Sequence, residues 1–432
     1  MPMMTVLKWA CVLSLVSLVA SQTRTVTYTG ERVLHCVGPA PHVVEASELL
    51  HDPAVDVWAV HADGSIDIRV MKHYDEMKTQ LEKIFQQCHL VIPDLEDFMS
   101  QMEQNERKQA VNSSLSWFEE YHTYDEIIGW YQELSSEYSE LVKYEVIGLS
   151  GEDRVMPAIR IGAENAREKI YFQCQIHARE WISGAVCMYV VDYLVSSYGE
   201  VEEVTSLLEK LQILVVPFAN PDGYQYTWTD DRMWRKNRAM NEGSSCRGVD
   251  LNRNYNDHWN EGGSSSNPCS ETYHGHSAES EPETHVVCSF FRDNGPIIGA
   301  IDWHSYSQLI LRPYGWTSED SPDESLLKEL GDGMSRSAYN VHGMQYSSQK
   351  SIGLYPATGT ASDWFYGTDA TSTNNGYRAA GFTIELRDTG YYGFLLPANQ
   401  IVFNGQEMVA AVEYFLNFCL NNAIVVTEEG FN

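Results

Sequence analysis

The spacing of apolar positions changes near residue 108 and divides the chain into two unlike units. In the first, Glu31-Arg-Val-Leu-His-Cys-Val37 reads as a strand and Val43 to His51 as a short helix. Val55-Asp-Val-Trp-Ala-Val60 and Ile66-Asp-Ile-Arg-Val70 read as alternating strands. Asp63-Gly64 between them is the dipeptide a type I′ hairpin turn prefers. Tyr74 to Cys88 shows helical spacing, with Met77, Leu81 and Phe85 on one face, and Leu90-Val-Ile92 returns to strand character. The order βαββαβ predicts a small ferredoxin-like α+β unit.

From about Tyr121 onward, long apolar runs alternate with helical segments. Lys169 to Ile176, Leu211 to Phe218, Ile297 to Trp303 and Phe382 to Leu386 suit buried strands. Ile182 to Ser197, Glu283 to Asp293, Asp323 to Tyr339 and Gln400 to Leu420 suit helices. The alternation predicts an α/β fold, a mixed central β-sheet flanked by helices. Between the units, the polar, helix-prone stretch Asp97 to Gln109 contains Arg107-Lys108. On composition alone this is a solvated helix face, but its position between two units suits cleavage by a trypsin-like protease.

A chain of 432 residues, 43% hydrophobic and 12% aromatic, has ample material for a buried core. A formal charge of −31 excludes nucleic acid and anionic membranes as expected partners, because binding to polyanions needs Lys and Arg. Lys8 followed by the apolar run Trp9 to Ala20 is too short for a membrane span and reads as a secretory signal peptide over residues 1–21. The expected address is secreted and extracellular, a digestive lumen included. Of nine Cys, Cys11 leaves with the signal, and eight remain for an oxidising compartment.

His177-Ala-Arg-Glu180 follows an apolar run and precedes a helix, so an imidazole and a carboxylate three residues apart can converge on one cation. Taken alone, the pair is common on protein surfaces. His304 follows the strand Ile297 to Trp303, and strand ends at one sheet edge can bring it to the same place. Glu385 stands in an otherwise apolar strand, where a carboxylate needs a task or a partner such as Arg387. Neither a Gly-x-Ser-x-Gly elbow nor a His-Glu-x-x-His helix occurs.

These residues lie within ordered motifs: His177-Ala-Arg-Glu-Trp-Ile-Ser183, Trp234-Arg235, Asp250-Leu-Asn-Arg-Asn254, Pro268-Cys-Ser-Glu-Thr-Tyr-His-Gly275, His304-Ser-Tyr-Ser-Gln308 and Glu385-Leu-Arg-Asp-Thr-Gly390. In them the span from Tyr121 to Leu420 resembles the funnelin metallocarboxypeptidases of the pancreatic A/B type, and the preceding unit resembles their inhibitory propeptide. The resemblance implies one Zn²⁺ per chain on His177, Glu180 and His304, with Glu385 as general base and Arg235 stabilising the oxyanion. It places Asn252 and Arg253 on the substrate's terminal carboxylate, Arg179 beside them, and Tyr355 closing over the substrate. Residues 22–108 would be the activation propeptide and 109–432 the catalytic domain. Peptide and protein C-termini become the expected substrates, with a trypsin-like activating protease and proteinaceous inhibitors as partners of a monomer.

The position matching the family's specificity floor is Ser362, neither the Asp of B-type enzymes nor the large apolar residue of A-type ones. The lost acidic floor points to apolar or aromatic termini. Lys350 would favour Asp or Glu termini if it pointed inward, and is otherwise a loop residue. Two further classes are weighed against this: a secreted binding protein that kept the fold and lost catalysis, and a zinc amidohydrolase of acyl-amino acids. Retention of all ligands and the base opposes the first, and Asn252-Arg253 with the propeptide-like unit opposes the second. The resemblance pairs Cys246 with Cys269 and Cys174 with Cys187, which leaves Cys36 with Cys88 and Cys288 with Cys419. Asn112-Ser113-Ser114 is a glycosylation sequon.

Overall fold

A computed structural model of the chain describes residues 26–38, 52, 54–112, 116–367 and 374–426. The signal segment, the helix expected over Val43 to His51 and the Ser positions of the sequon lie outside them. The N-terminal unit is a four-stranded antiparallel sheet ordered β2-β3-β1-β4, from β1 (Arg32–Val37), β2 (Val55–Val60), β3 (Ile66–Val70) and β4 (Gln87–Ile92). Asp63 supports the β2–β3 turn by accepting from Ser65 N–H at 2.9 Å, with Gly64 at φ 81°. Helix Tyr74–Ile84 packs Met77 and Leu81 onto the sheet. Cys36 and Cys88 are cross-strand partners and form a disulfide. Helix Leu95–Asn112 then runs through Arg107-Lys108.

The large unit is built on an eight-stranded mixed sheet. Its strands are β5 (Val142–Leu149), β6 (Val155–Gly162), β7 (Glu168–Gln173), β8 (Leu211–Val216), β9 (Ile297–Ser305), β10 (Leu309–Arg312), β11 (Ser347–Lys350) and β13 (Ala380–Leu386). They are ordered β11-β10-β13-β9-β7-β8-β6-β5. A separate ribbon pairs β12 (Tyr377–Arg378) with β14 (Ile424–Val425). The central strands β8, β7, β9 and β13 are parallel, so their carboxyl ends share one edge. Every residue of β8 and β9 is buried, as expected for parallel strands covered on both faces.

Helices Trp181–Ser196 and Ile401–Asn421 cover one face, around Phe172, Trp303 and Phe415. Helix Pro282–Asp293 covers the other, around Tyr171, Phe291 and Trp364. Helix Tyr124–Glu137 starts at Thr123, whose backbone N–H donates to Glu126 at 2.8 Å in a capping box. Among the described residues no helix is long and apolar enough to cross a membrane.

Two expectations are corrected. β9 extends through His304 to Ser305, which pairs with Leu386, so His304 lies within the strand instead of after it. Cys174–Cys187 and Cys246–Cys269 are disulfides, but Cys288 and Cys419 are both buried and are not joined by a disulfide. Cys288 belongs to the core on one face of the sheet and Cys419 to the core on the other, so the sheet separates them.

Candidate metal centre and cleft

β7, β9 and β13 deliver the chemistry to their shared edge. The chain leaves β7, and His177 and Glu180 follow on the turn that starts helix Trp181–Ser196. His304 and Glu385 are register partners on the adjoining strands β9 and β13. His177 Nδ1 lies 2.9 Å from Glu180 Oε1 and 3.1 Å from His304 Nδ1, and His304 Nδ1 lies 3.2 Å from Glu180 Oε2. All three side chains are buried.

This donor set fits a zinc ion. Two ring nitrogens face each other with a carboxylate between them, an arrangement that calls for a shared positive charge. The other ring nitrogens are braced by carboxylates: His177 Nε2 by Asp250 at 3.1 Å and His304 Nε2 by Asp302 at 2.6 Å. Such partners orient imidazole ligands and raise their basicity. Burial alone would push Glu180 up, but His177 and His304 outweigh it and hold the carboxyl far below its usual range. Burial likewise opposes charge on His304, yet Asp302 and Glu180 raise it well above the ordinary value. The site attracts a cation.

Arg235 lies against the same group. Its Nη2 and Nε donate to Asp250 Oδ2 at 2.9 and 3.3 Å, and its Nη1 lies 3.2 Å from His177 Nδ1. Glu385 is partly buried, and desolvation, with Glu180 adding to it, pushes its carboxyl up to about 8. The alternative partner is otherwise engaged, since Arg387 pairs with Glu407 and donates to Gln400 at 2.7 Å.

Asn252 Nδ2 lies 3.3 Å from His304 Nε2 while its Oδ1 accepts from Ala361 N–H at 2.8 Å. Arg253 Nη2 donates to the Tyr355 hydroxyl at 3.3 Å. Gly359 makes this turn possible: it has φ 69°, and a Cβ there would sit 2.4 Å from the Arg253 carbonyl oxygen. The structure thus gathers His177, Glu180, His304, Glu385, Arg235, Asn252, Arg253 and Tyr355 around one cleft of about 520 Å³.

Ser362 and Arg179 do not line the cleft. Ser362 is buried at the start of helix Ala361–Tyr366. Arg179 is fully buried, its two guanidinium nitrogens donating to Asp56 of β2 at 2.6 and 3.1 Å. Lys350 is turned away, its ammonium donating to the Ser318 carbonyl at 2.7 Å and Asp320 at 2.8 Å.

The N-terminal unit roofs the cleft with Val55, Val57, Trp58 and Val60. Trp58 packs on Phe394 at 5.2 Å, and Tyr355 packs against this unit's core. Three residues of this arrangement go unassigned in the sequence: Asp250, Asp302 and Asp56. Asp302 carried a signal, because a carboxylate two residues before His304 in an apolar strand shares its face. Asp250 opens the Asp250–Asn254 motif, and Asp56 carries none.

Comparison with known proteins places these features in context. The zinc carboxypeptidase family (Peptidase_M14) matches residues 127–411. The chain is 34% identical to human carboxypeptidase B over 405 residues, 91% of this chain and 94% of that one. The structure of carboxypeptidase A from Helicoverpa armigera superposes with a TM-score of 0.81 at 27% identity, covering 91% of this chain and 98% of that one. Bovine thrombin-activatable fibrinolysis inhibitor, solved in complex with tick carboxypeptidase inhibitor, superposes with a TM-score of 0.66 at 37% identity, covering 71% of this chain and 100% of that one.

Proposed function

From the premise that the chain belongs to the zinc carboxypeptidase family and is a metallocarboxypeptidase of its A/B type, we propose that it is made as a secreted zymogen that, once cleaved, removes single C-terminal residues with apolar or aromatic side chains. The observation that carries the reading is the meeting of His177, Glu180 and His304 with Glu385, Arg235 and Arg253 in one roofed cleft. When bound at the three ligands, zinc supplies Lewis acidity to the scissile carbonyl and to the attacking water.

The chain's own side chains do the rest. Arg253, held beside Tyr355, offers a guanidinium fork for the substrate's α-carboxylate, with Asn252 next to it. Arg235, fixed by two bonds to Asp250, donates N–H to the oxygen that gains charge. Glu385 takes a proton from the attacking water and returns it to the leaving amine nitrogen. Its raised pKa suits a group that must hold a proton between the two steps. Tyr355 closes the cleft over bound peptide.

Residues 22–108 act as the propeptide and 109–432 as the catalytic domain, with 1–21 removed as the signal. Latency follows from the roof: β2 lies over the cleft, and Asp56 occupies Arg179. Cleavage near Arg107-Lys108 by a trypsin-like protease frees both. Placement of Lys350 on Ser318 and Asp320 supports apolar over acidic termini, because its ammonium then does not face the substrate. The inhibitor bound to the bovine relative supports proteinaceous inhibitors as partners here.

The test is release from peptides ending in Phe, Leu, Lys and Glu, before and after tryptic cleavage. Phe and Leu should be released, only after the cut, and 1,10-phenanthroline should abolish the release. Preference for Lys or Glu refutes the specificity, and full activity in the uncut chain refutes the latency.

A further inference from the structure

The N-terminal unit holds a second cluster of metal-ligating side chains that no step above uses. His35 in β1 and Asp67 in β3 are directly opposed across the strand pair. His61 immediately follows β2, whose Ala59 is the register partner of Asp67. His35 Nδ1 lies 2.7 Å from Asp67 Oδ1, and His61 Nε2 lies 2.9 Å from Asp67 Oδ2. Each ring therefore addresses a different oxygen of one carboxylate, and the three ligand atoms lie within 4.8 Å of one another.

Burial and access both suit an ion. All five residues of β3 are buried, so the Asp67 carboxylate is withdrawn from water and needs a positive partner, while Arg69 of the same strand is taken up by Glu31 and Asp56. The side chains of His35 and His61 retain 30% and 11% exposure, which leaves a path from solvent. Two imidazoles and a carboxylate are a donor set for zinc and its neighbours in the first transition row. Bonds of about 2.0–2.1 Å around a tetrahedral centre put ligand atoms roughly 3.3 Å apart, so the two His–Asp67 contacts need open by about half an ångström, and the two ring nitrogens, which lie within 4.8 Å of each other, need at most close on the ion by a side-chain adjustment.

The cluster also sits where the two units meet. The Tyr306 hydroxyl donates to Asp67 Oδ2 at 2.8 Å, and His61 and Tyr306 rings lie 6.3 Å apart. Gly390 is packed so closely that a Cβ on it would fall 2.5 Å from Asp67 Oδ2. We propose that His35, His61 and Asp67 form a second zinc-class site, which fixes Asp67 against Tyr306 and so holds the N-terminal unit on the cleft. Water completes the coordination.

The test is a metal count on the uncleaved full chain, equilibrated with Zn²⁺, freed of loose metal by gel filtration and read by native mass spectrometry. The wild-type chain should retain two ions, His61→Asn one and His177→Ala one. One ion in the wild type, one in His61→Asn and none in His177→Ala overturns this site and leaves the catalytic one standing. One, none and one would do the reverse. If His61→Asn does not fold, Zn²⁺ titration of His177→Ala decides: one bound ion supports the site, and none overturns it.

Discussion

Replacing Asp56 by Ala should make the uncut chain leak activity. Asp56 accepts two bonds from Arg179 at 2.6 and 3.1 Å, and Arg69 stands 3.5 Å away. Both members of the Arg179 pair are almost wholly buried. Arg69 keeps Glu31 at 2.6 Å after the change, whereas Arg179 keeps only carbonyl contacts at 3.3 and 3.5 Å and the face of Phe394. Breaking a buried pair from one side costs about 3–5 kcal/mol, because the remaining charge is left without a partner. Separation of the units returns Arg179 to water, so the penalty falls on the docked state. At about 1.4 kcal/mol per decade, the undocked population rises roughly 10²- to 4 × 10³-fold. The assay is hydrolysis of a Phe-terminated peptide by chains carrying Arg107→Ala and Lys108→Ala, so that no stray protease contributes. A folded Asp56→Ala chain no leakier than its parent would refute the reasoning.

Acid should undock the units by the same route. Burial alone would raise Asp56, but Arg179 and Arg69 hold it below the ordinary carboxylate value. A depressed value means that this stabilisation is present above the unfolded value of about 3.9 and is lost as pH falls through the folded one. The emission of Trp58, 6% exposed at the interface, should therefore be steady at pH 5 and shift below about pH 4. An unchanged spectrum to pH 2 contradicts this. Asp302→Asn, which removes the carboxylate behind His304, should weaken zinc binding about 10- to 100-fold in a competition titration with little change in circular dichroism. Lys350→Ala should leave the terminal-residue preference unaltered in a peptide panel, since Ser318 and Asp320 already hold the ammonium; a gain or loss of Glu release would show that Lys350 reaches the substrate.

Local patterns foretold the elements that place the site. The apolar runs ending before His177 and at Leu386 became β7 and β13, and the helix after Glu180 formed because Trp181–Ser196 is apolar on nearly every side. His304 was expected past its strand because Trp303 closes the apolar run, but pairing of Ser305 with Leu386 carries the ladder two residues further. What stayed hidden was long-range. Asp56 meets Arg179 across 123 residues and between two units, and nothing local to either announces it. The Cys288–Cys419 pairing failed because counting thiols says nothing about which face of a sheet each one occupies. Ser362, expected to floor the specificity pocket, lies off the cleft, because its short helix turns it into the core.

The central claim, that Glu385 serves as the base beside a zinc held by His177, Glu180 and His304, is tested most directly with cleaved chain at matched zinc content. The measurement is the release rate of a C-terminal Phe by the wild type and by Glu385→Gln. Loss of the base should lower kcat by about 10²- to 10⁴-fold, with one zinc still bound in each. Equal rates in the two proteins would contradict the account.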